Sequence, residues 1–280
     1  MASDTALTFR LISINIWDLP IPLPGIRRRL RRRRLLRALP ALDPDILLVQ
    51  EAFIPRFRHR IAAVLPDHYM DPLCNTTRRH GLLRMDATGG MVTFSRWPIL
   101  RAEFQPTRSF PGMKPDERVG RKGCLWVELD TPAGHLMVGN VHCYAGPLPI
   151  HARVRAVQAR QLAARAASIH GPLLIGGDFN MAMEHEAAER EINGFDVLRE
   201  AGFHEAAEGR SAGIATMAPS TNKFARYMPW HRHVDRRLTQ VFYRGPGLTP
   251  ARPPRLCLDQ PPVSDHLGLL AEFRLTPVAD

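Results

Sequence analysis

No run of 18 consecutive apolar residues occurs in the 280-residue sequence, which excludes an apolar membrane-spanning helix. The first ten residues lack a basic segment followed by an apolar one, so no secretory signal is read there and a cytoplasmic location is the expectation. Cysteine is scarce. Cys74, Cys124, Cys143 and Cys257 lie far apart without a C-x-x-C spacing, which argues against a zinc knuckle or a dense disulfide framework. Lysine is scarce as well, and the formal charge of +11 is carried by arginine. Arginine forks match phosphate oxygens and a positive surface attracts polyanions, so nucleic acid, anionic lipid headgroups and phosphorylated metabolites all fit. Codon bias toward arginine acts in the same direction, so charge narrows the partner to an anion and stops there. Internal repeats and flexible linkers are absent. With 45% hydrophobic content, a single domain over residues 1–280 is expected.

What is present is an alternation of apolar runs and helical spacings. Leu7 to Ile16 and Asp45 to Glu51 read as strands flanking a helical pattern from Ile26 to Leu39 that carries eight arginines between Arg27 and Arg37. Further strands are predicted at Gly90 to Ser95, Cys124 to Asp130, Leu136 to His142, Leu238 to Tyr243 and Leu267 to Phe273. Helices are predicted over Phe53 to Leu65, His151 to His170 and a polar stretch after Asn180. Residues 66–88 read as irregular, and 205–232 and the proline-rich 245–262 as loops. Strand–helix–strand order is an α/β signature.

The chain is organised around Gly171-Pro-Leu-Leu-Ile-Gly-Gly-Asp-Phe-Asn180, a buried strand leaving through a glycine-permitted turn. Residues i and i+2 of an extended segment share a face, which pairs the Asp178 carboxylate with the Asn180 carboxamide. An isolated D-x-N is an ordinary Asx turn. Here it recurs with polar residues at other strand ends: Asn15, Glu51, Asn140 with His142, and Asp265 with His266. Strand ends at one sheet edge line a common crevice, so residues far apart in sequence can converge. Mg²⁺ takes oxygen ligands, commonly one or two carboxylates and several waters, and Glu51 and Asp265 supply such groups. A nearby histidine would stabilise charge or protonate a departing alkoxide.

As an ordered set, Ser13-Ile-Asn15, Val49-Gln-Glu51, Gly90-Met-Val-Thr-Phe-Ser-Arg96, Gly139-Asn-Val-His142, Gly176-Gly-Asp-Phe-Asn180 and Ser264-Asp-His266 resemble the endonuclease/exonuclease/phosphatase superfamily. The resemblance implies a four-layer α/β sandwich, two packed mixed β-sheets flanked by helices, and hydrolysis of phosphoesters with Mg²⁺ or Mn²⁺. It assigns the metal to Glu51 with Asn15 and Asp265. Asp178, Asn180, His142 and His266 become catalytic, with either Asp178 or His266 as the base, and Asn140 supports substrate binding. One position departs. Arg237-Leu-Thr239 carries threonine where the family pattern has an aspartate that orients the last histidine, and Asp235 is the available substitute.

Asn15-Ile-Trp17 followed by a proline-rich loop, and Asp116-Glu117 ahead of Lys122-Gly123, are similar to the neutral sphingomyelinase branch. That similarity implies a phospholipid-headgroup substrate, phosphate binding by Lys122, and peripheral membrane contact through residues 19–37. In that contact Leu19, Ile21 and Leu23 would enter lipid beside arginines on headgroups. A DNA endonuclease or exonuclease would read the same arginines as a phosphate-tracking stripe, and a phosphoinositide phosphatase is a third substrate class. A degenerate, non-catalytic binder of phosphorylated ligands is the alternative Thr239 supports.

Overall fold

The computed structural model describes residues 6–21, 25–80, 83–108, 110, 113–146, 149–182, 194–208, 214–227 and 234–277. The elements in chain order are β1 (Leu7–Asp18), α1 (Arg28–Leu42), β2 (Ile46–Ala52), α2 (Pro55–Val64), β3 (Tyr69–Met70), β4 (Thr77–His80), β5 (Leu83–Asp86), β6 (Val92–Ser95) and β7 (Ile99–Pro106). They continue as α3 (Pro115–Gly120), β8 (Gly123–Thr131), β9 (Gly134–His142), α4 (Pro149–Ala166), β10 (Leu173–Asp178), α5 (Gly194–Glu200), β11 (His204–Glu205), β12 (Thr239–Arg244), β13 (Leu248–Cys257) and β14 (Gly268–Leu275).

Side-chain alternation along β1 sets the layering. Phe9 and Leu11 point inward, to a core shared with Leu48 of β2, Val138 of β9 and Leu174 of β10. Ile12, Ile14 and Ile16 point outward and pack on Leu35 and Leu39 of α1 and Phe57 and Ile61 of α2. The first sheet has the order β13-β14-β1-β2-β6-β3 and the second β11-β12-β10-β9-β8-β7. Each contains a parallel pair, β1–β2 and β9–β10, among antiparallel neighbours. The outer face of the second sheet, with Trp126, Ile175 and Phe242, is covered by Leu162 of α4 and by Phe195 and Leu198 of α5. Helix, sheet, sheet and helix make the expected four-layer sandwich.

Two segments differ from the sequence reading. Residues 248–257, expected as a proline-rich loop, form β13. Its prolines are accommodated because β13 lies at the sheet edge, where an N–H turned away from β14 forfeits no ladder bond, and the register shifts between Pro250 and Arg252 and between Arg252 and Arg255, the second spanning Pro253 and Pro254. Residues 77–86, expected as irregular, pair as the β4–β5 hairpin. Leu23 of the expected lipid-facing loop and residues 183–193 of the expected polar helix lie outside the described residues. No helix among the described residues is long and apolar enough to cross a membrane.

Candidate active site

Alternation also decides which polar groups reach the cleft. On β1, Asn15 continues the inward series of Phe9 and Leu11 and emerges past the last core layer, only 2% exposed. On β10, Asp178 is paired in register with His142 of β9 and with Thr239 of β12, so three strands end at one level. Gly177, at φ 153°, lets the backbone lie against Val141, whose carbonyl a Cβ at this position would overlap.

Glu51 needs a different device. Leu47 and Val49 of the same parity pack against the helices, and strict alternation would carry Glu51 to that outer face. Its backbone is left-handed instead, at φ 54°, and the carboxylate meets Asn15. Trp17 (φ 49°) and Asn180 (φ 51°) adopt the same uncommon conformation at the ends of β1 and β10. Each left-handed L-residue costs on the order of 1 kcal/mol, and three of them fall where the strands deliver polar groups.

The resulting network is tight. Asn15 Nδ2 donates to Glu51 Oε1 and to Asp178 Oδ2, each at 3.0 Å, while its Oδ1 accepts from the Trp17 N–H. Asp178 Oδ1 accepts from the Asn180 N–H, and Asn180 Nδ2 donates to the Cys143 carbonyl. His142 Nε2 stands 3.6 Å from Asp178 Oδ2 and 3.7 Å from Glu51 Oε1, and His266 Nε2 stands 3.7 Å from Asp178 Oδ2. These are contacts too long for good hydrogen bonds, and both His142 nitrogens and His266 Nδ1 are buried without a partner among the described residues. Asp265 Oδ1 accepts from Ser264 Oγ and from the His266 N–H.

Burial and charge separate the acids. Burial and the neighbouring Asp265 push the Glu51 carboxyl up to about 7, against the opposing pull of Lys122 and the Asn15 bond. Burial opposes the Asp178 charge too, but His266, His142, Lys122 and the Asn15 amide together hold Asp178 below the usual carboxylate range. Burial, reinforced by Lys122, keeps His142 well below the ordinary imidazole value, so this ring is neutral. Lys122 is buried, which works against its charge, yet Glu117, Glu51 and Asp178 raise it. Its Nζ lies 3.0 Å from Glu117 Oε1.

Asn15, Glu51, His142, Asp178 and His266 are therefore brought together, with Lys122 and Asp265 close enough to act on Glu51 electrostatically. Asn140 is not at the cleft. It sits one pair deeper on β9, fully buried, with Nδ2 donating to the Val49 and Val92 carbonyls and Oδ1 accepting from Gln50. Both amide hydrogens and the amide oxygen bond across to the first sheet, so a substrate-binding role gives way to a structural one. Asp235 does not substitute for the missing aspartate, because its carboxylate accepts from the Ser220 N–H and hydroxyl. Thr239 Oγ1 is buried and unpartnered among the described residues.

The sequence left three contributors unassigned. Gln50 bridges the sheets through Asn140. Arg31 of α1 is 2% exposed, donates to the Ile16, Trp17 and Ile26 carbonyls, and thereby fixes the turn after Asn15. Asn222 Nδ2 donates to the Ser264 and Asp265 carbonyls and anchors the loop that carries His266. Only Gln50 had a sequence signal, its place between Val49 and Glu51.

Glu51 and the neighbouring Asp265 are the oxygen donors at hand, the Glu51 carboxyl being buried with its charge undercompensated, while the Asn15 carboxamide turns its nitrogen to Glu51 and Asp178 and its oxygen to the Trp17 N–H. That chemistry fits a hard divalent cation that retains its waters. Among the described residues no three His, Cys, Asp or Glu side chains converge as a complete metal cage.

Fold and site together define an α/β sandwich with a carboxylate–imidazole cleft at its strand ends. Residues 12–266 match the Endonuclease/Exonuclease/phosphatase family, and the chain belongs to it. Members of that family are hydrolases acting on phosphoester bonds. No curated protein sequence matches significantly. Among solved structures, sphingomyelinase C from Streptomyces griseocarneus is similar at 18% identity and TM-score 0.69, covering 95% of this chain and 99% of that one. Beta toxin from Staphylococcus aureus with bound magnesium ions is similar at 16% identity and TM-score 0.67, covering 95% and 99%. D. rerio TDP2 complexed with a single-strand DNA product is similar at 17% identity and TM-score 0.67, covering 95% and 98%. At these identities the likeness concerns the fold.

Proposed function

We propose that residues 1–280 act as one Mg²⁺-dependent phosphodiesterase domain, cleaving phospholipid headgroups in the manner of a sphingomyelinase at a membrane surface facing the cytoplasm. The observation that carries this reading is the Asn15 amide joining Glu51 to Asp178 with two imidazoles against the same carboxylate. Glu51 and Asp265, with Asn15 alongside, would hold Mg²⁺ or Mn²⁺, which would supply charge neutralisation at a phosphate oxygen and a more acidic water.

The chain's own groups divide the remaining work. Asp178 is kept ionised and has both oxygens occupied by amide donors, which suits an orienting carboxylate better than a proton acceptor. His266, with Nε2 on the Asp178 side, then receives the proton of the attacking water. Neutral His142 donates its N–H to the phosphoryl or leaving oxygen without adding a cation. Asn180 holds the Asp178 turn, and Lys122 contributes positive charge toward the phosphate.

Lipid is favoured over DNA by the apolar rim that begins two residues beyond Asn15. Ile21 is 69% exposed, and the exposed Tyr227 rests edge-on against the buried Trp17, their ring centroids 5.4 Å apart. The test is a substrate panel of sphingomyelin, an aryl phosphodiester, inositol phosphates and DNA, each with Mg²⁺ and with EDTA. Mg²⁺-dependent sphingomyelin cleavage abolished by Asp178→Ala is the expected result. Cleavage of DNA with sphingomyelin untouched reverses the substrate order, and no turnover of any substrate leaves a binding protein.

A further inference from the structure

Helix α1 concentrates charge where the helix itself gains nothing from it. Seven of its 15 residues are arginine and none is acidic. Arginine at a helix N-terminus opposes the macrodipole, and like charges four residues apart repel. Four of the seven have intramolecular work. Arg28 donates to the Leu19 carbonyl, Arg31 to three carbonyls, Arg32 to Asp18 and Arg34 to the Pro262 carbonyl. Arg29, Arg33 and Arg37 form an exposed stripe at four-residue spacing, and among the described residues none of the three bonds to an acid or a carbonyl.

Arg33 and Arg37 stand over a groove of about 690 Å³ between α1 and the β13 end with its following loop. Arg34 and Arg255 complete the basic wall, and Arg255 is already paired with Glu272 at 2.8 Å. Among the described residues Asp259 is the one acid in the lining. Leu30, Leu42, Leu256 and Leu270 supply the apolar surface, and among the described residues no aromatic ring lines the groove. This is a basic rim over an aliphatic trough of ligand-binding size. A nucleic-acid groove would pair such cations with rings on which bases stack.

We infer that this groove seats an anionic phospholipid of a bilayer, its phosphate between Arg33 and Arg37 and the start of an acyl chain on the leucines. Charge complementarity carries the choice of occupant: two exposed guanidiniums at the mouth, unpaired among the described residues, match a phosphodiester anion, and the aliphatic trough matches its chain. The site lies apart from the catalytic cleft and deepens the lipid reading without needing turnover. The groove is coupled to the cleft loop through Arg34, which holds Pro262 three residues ahead of Asp265.

The test sediments the full chain in EDTA with vesicles of phosphatidylcholine alone and of phosphatidylcholine with phosphatidylglycerol. Expected is partition to the phosphatidylglycerol vesicles alone. The Arg33→Gln/Arg37→Gln chain, which breaks no internal bond, should lose about thirtyfold in partition, about fivefold per arginine. Ala41→Trp narrows the groove from an exposed lining position while leaving the charge untouched, and should weaken the same partition severalfold. Equal partition by either variant, equal binding to neutral vesicles, or tighter retention of a single-stranded oligonucleotide by the same arginines overturns the inference. Hydrolysis of sphingomyelin in detergent micelles reads the cleft separately, so failure of one proposal is not failure of the other.

Discussion

Asn15 and Asp178 are 163 positions apart in sequence, and their side chains meet at 3.0 Å across the two sheets. The same amide nitrogen holds Glu51, so one side chain sets the spacing of both carboxylates. Asn15→Ala should therefore lower kcat about a hundredfold, the usual consequence of letting reacting groups drift by an ångström. Circular dichroism should stay native, because the apolar core beneath is untouched. Wild-type turnover in Asn15→Ala on the substrate identified by the panel would mean that the carboxylates are placed by their strands alone.

Thr239 offers a prediction of opposite sign. Its hydroxyl oxygen is buried with no partner among the described residues, although its backbone N–H donates to Thr216 Oγ1. Removing a polar atom that satisfies nothing is close to neutral or stabilising. Thr239→Val should leave the urea-unfolding free energy within about 1 kcal/mol of wild type or above it. A loss beyond about 2 kcal/mol would show that the hydroxyl has a hydrogen-bond partner after all.

How far the sequence could be read depended on whether a residue's role is local. Leu173 to Asp178 is an apolar run closed by glycines, and such a run declares both the strand and its exit. Asn140 shows the limit. It shares a face with His142 by the two-residue period, so both read as cleft residues, yet depth along the strand separates them. His142 stands level with Asp178 beside both carboxylates, and Asn140 is sealed between the sheets by Gln50, Val49 and Val92. Glu51 shows a second limit, because its orientation depends on a left-handed φ that no pattern of residue types announces. Arginine composition cannot tell the buried Arg31 and Arg58 from the exposed Arg33. In β13 the prolines argued for a loop, and only the edge position of the strand makes them compatible with pairing.

Arg58 is fully buried in α2, and it donates to the Ala52 and Cys74 carbonyls and pairs with Asp86. The Ala52 bond fixes β2 immediately after Glu51, so the residue supports both fold and cleft. Truncation to alanine strands two carbonyls and removes the counter-ion of Asp86, whose Oδ1 keeps its bonds from Thr88 and the Gly90 N–H. Arg58→Ala should lose about 3–5 kcal/mol in a denaturant melt, the range for breaking one partner out of a buried ion pair. A loss under about 1 kcal/mol would mean that water replaces the guanidinium at little cost.

Asp71 makes stability depend on pH in a direction opposite to that of a salt-bridged carboxylate. It is fully buried and accepts from the Leu73 and Thr93 N–H groups, but burial prevails and pushes its carboxyl up to about 6 from an ordinary 3.8. The folded chain then binds this proton more tightly than the unfolded chain does. Its contribution is fully present below about pH 4 and is lost as pH rises through about 6. A difference of about two pKa units corresponds to on the order of 3 kcal/mol. Other carboxylates titrate across the same window, so the measurement is a comparison. The unfolding free energy of wild type minus that of the non-titrating Asp71→Asn chain should fall by that order between about pH 4 and about pH 6.5 and be flat above it. The amide that replaces the carboxyl meets a backbone N–H on one side, which offsets the whole difference curve but does not tilt it. A difference that rises with pH over this interval would show that Asp71 is stabilised as an anion, by its two backbone donors and Arg58, more strongly than burial disfavours it.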